Sequence, residues 1–273
     1  MNVTSCGELQ GNYVFYFHGA PGAPDESLLF DQYAKDARLH IVCLDRFAID
    51  KNIHGHDYYQ QLADKITAIA GNEPVDIIGF SIGVQVAIEV STLLSDQVAH
   101  LHLVSAAAPL QQLKANTEIA GASIFAVAAK FPLLFSLLCY WQSLLSMIAP
   151  GLLFKMLFAS AKGDDLGMRE QADFKAFISS LLVRCFSKRV PGYIRDIRHY
   201  VEPWGEALPR CQAATTLWHG RSDNWSPLAM AQLLETSMPN VQALKPFDEL
   251  SHYSCLYHCA PLICKILAKN SDN

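Results

Sequence analysis

Six stretches of the chain read as nearly unbroken apolar runs: residues 13–17, 40–44, 75–79, 100–105, 214–219 and 241–245. Runs of that length without strict alternation suit strands covered on both faces, as in a parallel sheet. Helical patterns separate them. Pro24-Asp25-Glu26 opens one, with proline tolerated in a first turn and acids favoured by the helix dipole. Further helices are expected over residues 57–70, 82–94, 227–236 and roughly 254–268. Strand alternating with helix implies a doubly wound, mostly parallel α/β sheet of about six strands with right-handed crossovers.

Between Ser105 and Ala214 this alternation stops. Residues 111–208 carry helical periodicity only, long enough for an inserted all-helical cap. The chain then divides into a core of residues 1–110 and 209–273 and a cap of residues 111–208. The cap's first half is very apolar, and residues 131–154 hold no formal charge. Leu133, Leu134, Leu137, Leu138, Trp141, Leu144, Leu145 and Ile148 recur there at helical spacing, with Ser136, Gln142, Ser143 and Ser146 largely elsewhere. Pro132 and Pro150 bracket the segment.

Composition narrows the class. A length of 273 residues suits one large α/β domain with an insertion, and 51% hydrophobic content is ample for a core. A net charge of −5 with both signs scattered gives no case for nucleic acid as a partner. There is no Gly-rich phosphate loop or dinucleotide fingerprint, so no cofactor is expected. Residues 1–10 lack a basic segment followed by an apolar core, and the eight cysteines lack the paired spacing of a disulfide framework. Reduced thiols and a cytoplasmic location are therefore expected.

The chemistry centres on Gly79-Phe80-Ser81-Ile82-Gly83, between an apolar strand and a helical run. Strand, Gly-x-Ser-x-Gly, helix is the pattern of a nucleophile elbow. The turn is so sharp that the residues two before and two after the serine must be small, hence Gly79 and Gly83. It lifts the Ser81 hydroxyl clear of the sheet and aims the Ile82 amide at an incipient oxyanion. Upstream, the first run ends in His18-Gly19-Ala20-Pro21-Gly22. Downstream, Trp218-His219-Gly220 leads to Asp223, and Leu250-Ser251 leads to His252. The order Ser, Asp, His, each just after an apolar run, resembles the α/β-hydrolase family, serine hydrolases with a helical cap. The resemblance runs from Tyr13 to about Ala268. Pro203-Trp204-Gly205 is similar to bacterial members of that family that carry such a cap.

A serine hydroxyl needs a base, and a carboxylate must fix the imidazole tautomer. Ser81, His252 and Asp223 are the candidates. Another place for the acid in the family, after the preceding strand, reads Ser105-Ala106-Ala107-Ala108 and holds none. His219 and His258 are rivals to His252: the first occupies a position the family fills for structure, the second falls within the last helix. By resemblance, the Ala20 amide supplies the second oxyanion donor, His18 holds that loop, and Gly19 and Gly22 let the backbone approach substrate. Asp45-Arg46 matches the family, but Phe47-Ala48-Ile49-Asp50 replaces its usual continuation. The family commonly opens with an antiparallel hairpin; twelve residues before Tyr13 leave room for one short strand at most. His54-Gly55-His56-Asp57 and the group His252, Cys255, His258 and Cys259 have loose ligand-like spacing, read as a helix start and packing thiols, so no metal is expected.

The expected function is hydrolysis of an ester or related acyl bond of a small apolar substrate. Amide or peptide cleavage, carbon–carbon bond hydrolysis and a non-catalytic ligand-binding role on the same scaffold are the alternatives. A membrane span through residues 131–154 would put Ser81 on one side of a bilayer and Asp223 with His252 on the other. Contact with a membrane surface through the cap stays a minor alternative, and no oligomer is specified.

Overall fold

The computed structural model describes residues 2–114 and 117–270; residues 115 and 116 of the expected cap lie outside them. Seven strands form one sheet: β1 (Val3–Gly7), β2 (Asn12–Phe17), β3 (Leu39–Leu44), β4 (Val75–Phe80), β5 (Val98–Val104), β6 (Ala214–Gly220) and β7 (Val241–Phe247). Their order is β1-β3-β2-β4-β5-β6-β7. Every neighbouring pair is parallel except β1 with β3, where Val3 faces Leu44 and Gly7 faces His40. The count of about six becomes seven. The added strand is an edge strand in which only Cys6 is buried, so it lacks the continuous apolar run that marks the inner strands. It is one short strand, paired antiparallel with β3.

Five helices flank the sheet: α1 (Asp31–Asp36), α2 (Gly55–Ala70), α3 (Gly83–Leu94), α10 (Leu228–Ser237) and α11 (His252–Asn270). α2 packs with α3, and α1 with α11. Phe15, Ile41, Ile77, Ile78, Leu101, Leu103 and Leu217 are fully buried in the core. The chain passes from β2 outward to β3, then returns to the other side of β2 for β4. Strand order therefore reverses between β2 and β4, whose carboxyl ends frame a crevice.

Between β5 and β6 lie α4 (Ala122–Lys130), α5 (Pro132–Ile148), α6 (Pro150–Leu157), α7 (Asp165–Met168), α8 (Ala172–Lys188) and α9 (Val190–Val201). Proline opens α5 and α6 and stands in the first turn of α9, where a missing N–H costs nothing. On α5 the buried side chains are Phe135, Cys139, Leu145 and Ser146. The apolar positions at helical spacing split between the two sides of the helix. Leu133, Leu137, Trp141, Leu144 and Ile148 face solvent instead, while Gln142 and Ser143 are half-buried. No helix among the described residues is long and apolar enough to cross a membrane.

The loop after β3 holds the inserted helices to the core. Arg46, fully buried, donates to Asp196 of α9 at 2.7 Å, and the Tyr58 hydroxyl donates to the same carboxylate oxygen at 3.2 Å. Arg195 donates to the other oxygen at 3.0 Å and to the Arg46 carbonyl at 2.8 Å. Burial opposes ionisation of Asp196, but Arg46 and Arg195 outweigh it and hold the carboxyl below its usual range. Arg189 grips Asp45 at 2.7 and 3.0 Å. Gly192 lies so close that a Cβ there would sit 2.2 Å from the Phe47 carbonyl oxygen.

Candidate active site

Ser81 stands between β4 and α3 with φ of +56°, in the left-handed region that a side-chain-bearing residue enters at a cost. The turn is held by Ser81 N–H to the Val104 carbonyl at 3.1 Å and Val84 N–H to the Ser81 carbonyl at 3.1 Å. Its neighbours have no room for a side chain. A Cβ on Gly83 would sit 2.3 Å from the Phe17 carbonyl oxygen and 2.4 Å from that of His18; one on Gly79 would meet the Ala87 Cβ at 2.9 Å.

Asp223 follows β6 and His252 is the first residue of α11. Both are buried, and His252 Nδ1 donates to Asp223 Oδ2 at 2.8 Å. The other carboxylate oxygen accepts the Trp225 and Ser226 amides, each at 2.9 Å. Burial opposes a charge on His252, but Asp223, helped by Asp165 and Glu26, outweighs it and raises its pKa above the usual imidazole value. The rival His219 is 3.9 Å from Asp223 and gives its Nε2 proton to the Ser226 carbonyl at 2.6 Å. Burial lowers its pKa. His258 is exposed on α11 and meets the Phe247 ring edge-on.

The loop after β2 is clamped from behind. The Gly19 carbonyl accepts from His18 Nδ1 at 2.7 Å and from Arg46 at 3.4 Å. In a trans peptide the N–H points opposite to the C=O, so the Ala20 N–H points away from that clamp; Gly19, Ala20 and Pro21 line the cavity. The Gly19 N–H donates to buried Glu26 at 2.8 Å. Burial keeps His18 neutral, with Arg46 adding to the effect. A Cβ on Gly22 would meet the Gly19 carbonyl oxygen at 2.6 Å.

A cavity of about 310 Å³ opens over Ser81. Ala20, Ser81, Ile82 and His252 line one side of it, and Ile124, Phe125, Gln142, Leu153, Met156 and Leu157 of α4 to α6 line the other. Tyr193, Ile197 and Tyr200 of α9 complete a wall. No Asp, Glu, Lys or Arg is among its described lining residues.

No protein-family model and no curated protein sequence matches the chain. Solved structures do. A bromoperoxidase from Bacillus anthracis is 15% identical with a TM-score of 0.70, over 98% of this chain and 94% of that one. An esterase from Exiguobacterium antarcticum is 15% identical with a TM-score of 0.71, over 99% of this chain and 95% of that one. A putative lipase from Acinetobacter baumannii is 13% identical with a TM-score of 0.70, over 99% and 88%. The chain has the α/β-hydrolase fold.

On the hydrolase fold, the sequence motifs account for Ser81, Asp223, His252 and the loop 18–22, which the structure gathers at one end of the sheet. Three supporting residues carry no local signal. Asp165 of α7 accepts the Tyr253 and Ser254 amides at 3.1 and 2.7 Å, capping the helix that begins with His252. The Ser105 hydroxyl, where no acid stands, donates to the His252 carbonyl at 2.9 Å. Glu26 is the third, visible in the sequence only as an acid in a first helical turn. Among the described residues no group of three or more His, Cys, Asp or Glu is placed to hold a metal ion. Cys255 and Cys259 touch each other at 3.8 Å, and His54 stands at the N-cap of α2.

Proposed function

We propose that this chain is a serine hydrolase that cleaves esters, and related acyl bonds, of uncharged apolar substrates through an acyl-enzyme. The observation that carries the reading is the Asp223–His252 pair at 2.8 Å, opening on the same cavity as Ser81 on its strained turn. Asp223 holds the proton on Nδ1, which leaves Nε2 of His252 free as an acceptor. Ser81 Oγ attacks the acyl carbon as its proton passes to Nε2. The carbonyl oxygen becomes an oxyanion facing the amides of Ile82, at the start of α3, and Ala20. Collapse breaks the ester bond; the alcohol leaves with the proton from His252, and the acyl group stays on Ser81. Water then attacks, giving its proton to His252. The acid departs and the hydroxyl is restored.

Esterases and a putative lipase among the structural neighbours agree with this chemistry. The substrate class rests on the cavity lining, which offers apolar surface and no countercharge. The test is labelling by a fluorophosphonate with peptide mapping. A single adduct on Ser81 is expected, and Ser81→Ala should lower ester turnover by roughly 10³-fold or more with the fold intact. Adduct at another serine, or unchanged turnover in the alanine variant, overturns the assignment. An unreactive but ligand-binding protein would be a receptor on this scaffold.

A further inference from the structure

The outer face of α5 is apolar along its length. Leu133, Leu137, Tyr140, Trp141, Leu144 and Ile148 form a stripe at helical spacing, exposed by 83%, 68%, 55%, 51%, 53% and 72%. Such a face is far larger than the scattered apolar residues of an ordinary surface. The segment that carries it has one sign of charge along the chain. From residue 119 to residue 163 the only formally charged side chains are Lys130, Lys155 and Lys162, all exposed, in a chain whose net charge is −5. The stripe is also continuous with the cavity: Ile124 and Met156 are both exposed and line it, and Gln142 reaches it from α5 itself.

We propose that this face docks on a lipid bilayer. The helix would lie in the interface plane with its apolar stripe among the acyl chains, Tyr140 and Trp141 at headgroup depth, and the lysines on anionic headgroups. α5 has 17 residues and is too short to span, so it would lie on the membrane. A second copy is the obvious rival occupant. Self-association through this face would bring together two copies of a segment whose formal charges are all lysines, whereas an anionic bilayer is complementary to both the apolar stripe and that charge. Docked this way, the mouth of the cavity faces the acyl chains. The docking stands on the surface alone and holds whether or not Ser81 is a nucleophile.

The test is flotation of the full chain with vesicles of phosphatidylcholine and phosphatidylglycerol, alongside tryptophan emission. The wild type should float. The double variant Leu133→Glu/Leu137→Glu should bind less by roughly tenfold or more, since both side chains project into solvent and neither lines the cavity. In the wild type, vesicles should shift emission to the blue and brominated acyl chains should quench it, because Trp141 is exposed on the stripe, while Trp204 and Trp218 are buried and Trp225 is half-buried in the cavity wall. Quenching needs no substitution, so a variant that failed to fold would not shield the idea. A wild type that does not float, a variant that floats equally, or emission untouched by brominated lipid would each overturn the proposal. So would light scattering that shows a wild-type dimer lost in the variant without vesicle binding; that result would give the face to a second copy.

Discussion

Glu26 makes the loop after β2 sensitive to pH. It is fully buried, accepts the Gly19 amide at 2.8 Å and the Tyr16 hydroxyl at 2.9 Å, and its second oxygen has no partner. Burial pushes its pKa from the ordinary 4.5 to about 7, against the pull of those two donors. A carboxyl whose pKa is raised on folding binds its proton more tightly in the native state. Its contribution is full below the unfolded value and is lost as pH rises through the native one. Glu26→Gln keeps an acceptor for Gly19 and cannot ionise. Between about pH 5 and about pH 8 the wild type should therefore lose stability relative to the variant, by on the order of 2–3 kcal/mol. Thermal unfolding of both proteins across that range checks it, and parallel profiles would mean that Glu26 ionises as a surface acid does. Ser81, Asp223 and His252 could be singled out from the sequence because each sits in a short pattern set by its own strand end. Glu26, Asp165 and the Arg46–Asp196 pair could not. Their roles depend on partners 7 to 150 residues away, and a first-turn acid or a loop arginine reads the same with or without them.

At the scale of elements, the N-terminus of α11 is the joint between the inserted helices and the site. His252 opens that helix, and the cap on its first turn comes from Asp165 of α7, more than eighty residues earlier in the chain. Asp165→Ala leaves two buried amides without an acceptor, which should cost about 1–2 kcal/mol of stability. It also frees the first turn to shift. Under the hydrolase reading, kcat for a soluble aryl ester should fall roughly tenfold with KM nearly unchanged, since substrate contacts stay while His252 loses its alignment. Asp165→Asn, which keeps one acceptor, should recover part of the loss. Steady-state kinetics beside urea unfolding separate the cases: a stability loss with kcat intact would make Asp165 structural only. The inner strands were legible because burial on both faces writes a continuous apolar run. β1 was not, since an edge strand with one buried residue has no such run. The helices from 122 to 201 were legible as helices, but not which way α5 faces. A stripe of leucines at helical spacing has the same period whether it meets a core, a pocket or solvent.

For the whole molecule, the reversal of strand order between β2 and β4 puts the loop 18–22 and the Ser81 turn side by side. The long return through α4 to α9 then closes the space above them, fastened by Arg46, Asp196 and Arg189. That closure sets the expected substrate range. A cavity of about 310 Å³ with no charged side chain among its described lining residues offers much apolar contact and little to hold a charge. Each methylene buried contributes about 0.8 kcal/mol, close to fourfold in kcat/KM when the contact is fully made. In a series of aryl esters, kcat/KM should thus climb from acetyl through medium-length acyl groups and level off once the cavity is filled. A hemisuccinate of similar length should be poor, because its carboxylate would lose water without gaining a partner. The series is measured below the solubility limit of each ester, so that a bilayer-like aggregate does not stand in for the cavity. A steady fall from acetyl onward, or a hemisuccinate as good as its uncharged counterpart, would mean that the apolar lining serves helix packing and that the acyl group is recognised elsewhere.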